Sequence, residues 1–163
     1  MSNPKYTEEW LELSRSGQFA EAQELYFKKL LPEIIQLFGR KYRNILKDDE
    51  MLISILGFSP EPIILTARAM QPERHVVITS GKNIEVESVL DAHLEEPFQL
   101  ITLQDEAFQT IYKTLKEQLI LSSFSKIVVD ITGGKKSMVA AASIFAKDYG
   151  CKIVYVDFQV YLK

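Results

Sequence analysis

The chain has 163 residues, 47% hydrophobic and 25% charged, which excludes a disordered polymer and allows one domain with a real core, with or without a helical appendage. No apolar run approaches the ~20 residues that span a bilayer, and the lone cysteine, Cys151, excludes an internal disulfide and a cysteine-based zinc site. A net charge of −3 argues against a protein that grips long duplexes by their phosphates, while leaving room for a small anion held by locally concentrated cations.

The opening MSNPKYTEEW is polar and lacks the charged-then-apolar layout of a secretory signal, so the cytoplasm is the expected compartment. Residues 7–46 read as helical. Trp10, Leu11 and Leu13 mark a short first helix, which Ser16-Gly17 breaks. Phe19, Ala22, Leu25, Tyr26, Leu30 and Leu31 then recur at helical spacing, followed by Ile34, Ile35, Leu37 and Phe38. Pro32 either kinks this helix or opens a new one. The GQFAEAQELY turn resembles half of a tetratricopeptide hairpin, but a single copy makes no solenoid, and an amphipathic pair packed on the main domain or on a second subunit is the simpler expectation. The charged stretch Lys41–Glu50 is read as a boundary, dividing a helical extension (1–50) from the main domain (51–163).

From Met51 the pattern alternates. Apolar strands are expected at Met51–Leu56, His75–Ser80, Pro97–Leu103, Lys126–Thr132 and Cys151–Phe158. Amphipathic helices are expected between them, at Pro60–Met70, Asn83–Leu94, Asp105–Leu121 and Gly134–Gly150. Short apolar strands alternating with helices imply a mostly parallel sheet covered on both faces, a doubly wound Rossmann-like α/β fold. With strand order 3-2-1-4-5, the first and fourth strands meet where the order reverses, and ligands of such sheets bind there, beyond the carboxyl ends of the strands.

Three strand ends carry suitable chemistry: Gly57-Phe58-Ser59-Pro60, Ser80-Gly81-Lys82-Asn83, and Thr132-Gly133-Gly134-Lys135-Lys136-Ser137. The glycines of the last allow a tight turn and close approach of backbone N–H groups to a ligand. The next helix adds unpaired amides and the positive end of its dipole, Lys135 and Lys136 add formal charge, and Thr132 and Ser137 add hydroxyls. The alternative is a plain strand-to-helix turn with both lysines in solvent. GKKS lacks the first glycine of a nucleotide-triphosphatase loop, since Val129 stands in that region, and GFSPEP does not match the dinucleotide fingerprint.

Other signals are weaker. Arg68 and His75 have the spacing of a ribonuclease Arg-His pair, but Pro72 and a helix-to-strand passage intervene, so it is read as coincidence. Asp130 either contacts a ligand or caps the glycine turn. His93 is expected in solvent, Glu85 and Glu87 have no acidic partner at metal-ligand spacing, and Phe108, Tyr112 and Phe145 are expected to be core. Phe58, and less so Tyr155, are placed for base stacking. No metal and no cofactor are expected.

DITGGKKSM (Asp130–Met138) resembles the D-x-T-G-G-[TK]-K-x-M signature of CRISPR-associated Rossmann fold (CARF) domains, and Leu56–Ser80 is similar to that family's first loop, helix and second strand. The resemblance covers Met51 to Phe158. It implies a homodimer that senses a cyclic tetra- or hexa-adenylate made by type III CRISPR complexes, lying across the dimer axis and switching an effector. It also implies that some members cleave the ring. Carried over by position, Lys136 matches the regular lysine and Lys135 replaces a frequent threonine. Ser59 matches the first-loop serine that assists cleavage. The expected ligand set is Gly57, Phe58, Ser59, Ser80, Gly81, Lys82, Thr132, Gly133, Gly134, Lys135, Lys136 and Ser137, with Lys136 and Ser59 catalytic only in a ring nuclease. Such cleavage would be metal-independent and slow, because no histidine stands near these loops. Neither a membrane nor duplex nucleic acid is an expected partner. The chain holds no nuclease core and ends just after the predicted fifth strand, so an excised sensor whose effector lies elsewhere, a stand-alone sensor and a small ring nuclease all remain open.

Overall fold

The structure, a computed structural model, describes residues 4–157. Helix α1 (Thr7–Arg15) and helix α2 (Phe19–Leu25) are joined through Ser16–Gln18, with Gly17 at φ 79°. A π-helical turn, Tyr26–Leu30, then leads without a break into α3 (Leu31–Leu46). Proline lacks the N–H for an ordinary i→i−4 bond, and its ring crowds the preceding turn. The chain answers Pro32 by widening that turn, with Leu31 N–H donating to Tyr26 O, rather than by a break.

The remaining elements alternate as their apolar patterns require. They are β1 (Met51–Ile55), α4 (Glu61–Met70), β2 (Arg74–Thr79), α5 (Ile84–His93), β3 (Phe98–Thr102), α6 (Phe108–Ile120), β4 (Ile127–Asp130), α7 (Lys136–Tyr149) and β5 (Lys152–Val154). All strand pairs are parallel, in the order β3-β2-β1-β4-β5, which is the expected Rossmann-like arrangement. Phe158, at the end of the predicted fifth strand, lies outside the described residues.

Side chains alternate across the sheet and make two cores. On one face Leu52, Val77 and Val128 pack with α3, α4 and α5. On the other, Ile53, Val76, Val129 and their neighbours pack against α6 and α7, where Ala141, Ala142 and Phe145 are fully buried. Helix α3 contributes Leu31, Ile35, Phe38 and Leu46 to the first core, so the helical segment before β1 forms part of a layer on the sheet from Leu31 onward. The central strands β1 and β4 are buried throughout, whereas the edge strands β3 and β5 are only partly covered. The strand ends at the centre of the sheet are thereby held by the most deeply packed elements.

Candidate functional site

Strands β1 and β4 are neighbours with Ser54 opposite Asp130, so the loops that follow them leave the sheet side by side. They are in direct backbone contact. A Cβ added to Gly57 would lie 2.6 Å from Gly134 N, and one added to Gly133 would lie 2.5 Å from Ile55 O and 2.8 Å from Gly57 N. At Gly134 the backbone is left-handed, with φ 89°, and an added Cβ would meet Ile55 Cγ2 at 2.3 Å. All three glycines are required by the packing of one loop on the other. Gly81 differs, because a Cβ there meets nothing within 4 Å.

The turn after β4 is fixed by its own polar groups. Asp130, only 1% exposed, accepts a hydrogen bond from Thr132 N–H through Oδ1 at 2.9 Å. Thr132 Oγ1 accepts from Val156 N–H at 2.8 Å. Asp130 is therefore the cap of the glycine turn. Burial holds its carboxyl above the usual range, against the lowering effect of its bonds to Thr132. After β2, Thr79 Oγ1 donates to Gly81 O at 3.0 Å and closes the turn that carries Ser80 and Lys82.

The two motif lysines separate in role. Lys135 is the N-cap residue of α7 in extended backbone and offers no side-chain cap to the first turn. Its ammonium pairs with Glu106, in the loop after β3. That hydrogen bond is the main reason the Glu106 carboxyl sits below its ordinary value, with a smaller contribution from Ser80. Glu106 is the site residue missed in the sequence: it stands 29 positions from Lys135, in a segment with no motif of its own. Lys136 opens α7, and its exposed side chain makes no ion pair or hydrogen bond among the described residues. The same holds for Lys82. The first turn of α7 carries no acidic residue, so no carboxylate within it offsets the positive end of the dipole at which Lys136 stands. Ser59 and Ser137 are exposed, and Phe58 is 91% exposed beside the glycine contact. The arrangement supplies two uncompensated cations, a helix N-terminus, hydroxyls and one bare aromatic ring around interlocked glycines.

Residues outside the loops are accounted for by structure. His75 is buried on β2 with Nε2 2.9 Å from Ser54 Oγ, and burial lowers its pKa to about 4. Arg68 instead pairs with Glu95 at 2.7 Å and donates to His93 O at 3.2 Å, so the Arg-His spacing builds no ribonuclease pair. His93 is half-buried and stacks on Phe27 at 5.7 Å, rather than standing in solvent. Phe145 is fully buried and packs edge-on against Tyr112 at 5.9 Å, while Phe108 stacks on Tyr112 at 5.8 Å and remains 43% exposed. Tyr155, beyond β5, is 67% exposed. Among the described residues no group of three or more His, Cys, Asp or Glu side chains is placed to hold a metal, and no helix is long and apolar enough to cross a membrane.

No family model matches the chain, and no curated protein sequence matches it. Among solved structures it is similar to Can2 from Sulfobacillus thermosulfidooxidans, determined in complex with cyclic tetra-adenylate, at a TM-score of 0.59 and 19% sequence identity. The match covers 74% of this chain and 34% of that one, so the chain spans about a third of the length of Can2. At this identity the likeness is one of fold, and it confirms the Rossmann-like α/β architecture.

Proposed function

We propose that the chain is a sensor domain for cyclic oligoadenylate in type III CRISPR signalling, with residues 51–163 as the sensing domain and residues 1–50 as a helical extension. The observation that carries this reading is the position of the DITGGKKSM turn. It lies at the switch point of the sheet, locked against the Gly57 loop, with Lys136 unpaired among the described residues at a helix N-terminus free of acidic residues. A solved structure of like fold holds cyclic tetra-adenylate, which supports the ligand class. A ring with rotational symmetry suits a two-fold homodimer, in which two copies of the loops form one floor and two copies of Lys136 face its phosphates. Glycine amides and the hydroxyls of Ser59, Ser80 and Ser137 supply neutral contacts, Phe58 a face for a base, and Lys82 further charge.

Thermal shift with the tri-, tetra- and hexa-adenylate rings tests the reading. One ring is expected to raise Tm markedly, and Lys136→Ala to reduce that shift sharply at the same ring concentration. A charge-assisted contact contributes about 1.5–3 kcal/mol, so losing both copies should weaken binding by more than about a hundredfold. A shift with a dinucleotide cofactor and with no ring would move the reading to another phosphorylated metabolite.

A second reading is favoured by Ser59, which is exposed and makes no hydrogen bond among the described residues. It leaves Ser59 free to orient an adenylate 2′-hydroxyl in line with its neighbouring phosphate. Attack would form the 2′,3′-cyclic phosphate and expel the 5′-oxygen, with Lys136 neutralising the phosphorane. No histidine serves these loops, His75 being buried against Ser54, so turnover would be slow. Chromatography of the ring after incubation in EDTA separates sensor from ring nuclease: linear products lost in Lys136→Ala establish cleavage.

A further inference from the structure

A groove of about 660 Å³ runs between α1, the π-helical turn and the start of α4, and of the loop residues used above only Ser59 lines it. Its wall is mostly apolar and includes Trp10, Tyr26, Phe27 and Leu65, while Ser59 and Glu61 are the polar groups on the α4 side. The aromatic rings are already ordered. Trp10 and Tyr26 lie 6.1 Å apart, and Tyr26 meets Phe27 edge-on at 5.1 Å. The widened turn that accommodates Pro32 brings the consecutive Tyr26 and Phe27 both onto this wall. Tyr26 and Glu61 line the groove together. Burial, then the nearby Glu61 carboxylate, push the Tyr26 pKa well above its ordinary value, so the phenol stays protonated.

We infer that this groove binds a purine base bearing an exocyclic amine, with Glu61 accepting from the amine, Ser59 hydrogen-bonding the ring edge and Trp10 and Tyr26 packing against its face. The volume suits a base with its sugar, and an apolar slot with a few convergent polar groups is how such ligands are held. A carboxylate at the amine position selects against a base with a carbonyl there, because two acceptors would face each other. The position ties the groove to the glycine loops. Ser59 is two residues from Gly57, at most about 7 Å of chain, which is the reach from a phosphate to its own base. The inference rests on the adenylate reading for its ligand. One base of the ring would leave the plane above the glycines and enter beside α4, giving the helical extension a part in recognition.

The chain contains one tryptophan, so emission from Trp10 reports on this groove alone. The full chain is titrated with adenosine, inosine and cyclic tetra-adenylate. Adenosine and the ring are expected to quench Trp10, with inosine weaker by about tenfold, and Glu61→Gln, which keeps the shape of the side chain, should remove that discrimination. A ring that raises Tm through Lys136 while Trp10 emission stays unmoved overturns the groove and leaves the sensor reading intact. Quenching by adenosine with no ring bound keeps the groove and overturns the sensor reading. Equal quenching by inosine overturns the role of Glu61 and with it the inference. Emission that changes with protein concentration alone overturns it too, in favour of a second copy of the chain as occupant.

Discussion

Beneath α4, Ser54 stands between two buried ionisable side chains, His75 on β2 and Asp130 on β4. Their linkages to folding have opposite signs. His75 falls from 6.5 to about 4 on folding, so its stabilising contribution is complete above pH 6.5 and is lost as pH drops towards 4, by about 3 kcal/mol over that window. Asp130 is raised above 3.8, so the folded chain holds its proton more tightly, and its contribution is most favourable in acid and declines as pH rises through the raised value. Asp130 Oδ2 and Thr66 Oγ1 are also both buried and make no well-formed hydrogen bond among the described residues, although Thr66 lies close enough to oppose the rise in the Asp130 pKa. Asp130→Asn keeps an oxygen for Thr132 N–H, offers Thr66 a donor and removes the charge. Chemical denaturation between pH 4 and 7 should show the variant more stable than the parent at pH 7 and losing stability more steeply in acid, because the histidine then acts unopposed. A parallel pair of curves would refute the assignment. On the surface, Glu106 competes with any anion for Lys135. Glu106→Gln should leave stability essentially unchanged, as exposed pairs do, yet tighten binding of the proposed ring about fivefold in calorimetry.

At the level of elements, the glycine loops act as a joint between β1 and β4, and substitution should read first as lost stability. The neighbours of Gly133 are backbone atoms that cannot swing away, so Gly133→Ala should cost about 3 kcal/mol and lower Tm by roughly 8 °C. Gly81→Ala, in open space, should stay within about 0.5 kcal/mol, and calorimetric scans of the two test the contrast. This joint also marks how far the sequence could be read. The order of strands and helices was legible because fully buried parallel strands read as unbroken apolar runs between amphipathic helices, and a doubly wound sheet leaves few ways to connect them. The same logic placed the three loops at one end of the sheet. It could not tell a glycine that faces a ligand from one that faces another loop, since both demand the absence of a side chain. Periodicity gave α3 an apolar stripe without saying what it covers, and the stripe lies in the core with α4. Pro32 left kink and new helix equally open, and the widened turn is a third solution, set by the packing on either side. Glu106 was invisible for a different reason: its pairing with Lys135 exists only once the loops after β3 and β4 have been brought together.

Across the whole molecule, the proposed anion binding must coexist with a net charge of −3, so the local field has to be built from the few cations left uncompensated. Lys135 is largely neutralised by Glu106, which leaves Lys136, at the α7 N-terminus, and Lys82, in the loop after β2, as the loop lysines with no ion pair among the described residues. On the proposed two-protomer reading these make four charges, equal to the phosphates of a tetra-adenylate ring and fewer than those of a hexa-adenylate ring. Binding should therefore weaken with salt, and the slope counts the contacts. For single-stranded nucleic acid each phosphate neutralised contributes about 0.7 to the slope of log K against log salt concentration. Lys136→Ala removes two contacts if the ring lies on the dimer axis and one if a single chain holds it, so the slope should fall by about 1.4 or by about 0.7. Titrations of both proteins from 50 to 200 mM salt, with mass measured alongside, distinguish the two outcomes. The larger drop together with one ring per two chains supports a shared floor, whereas the smaller drop with one ring per chain would remove the dimer from the mechanism.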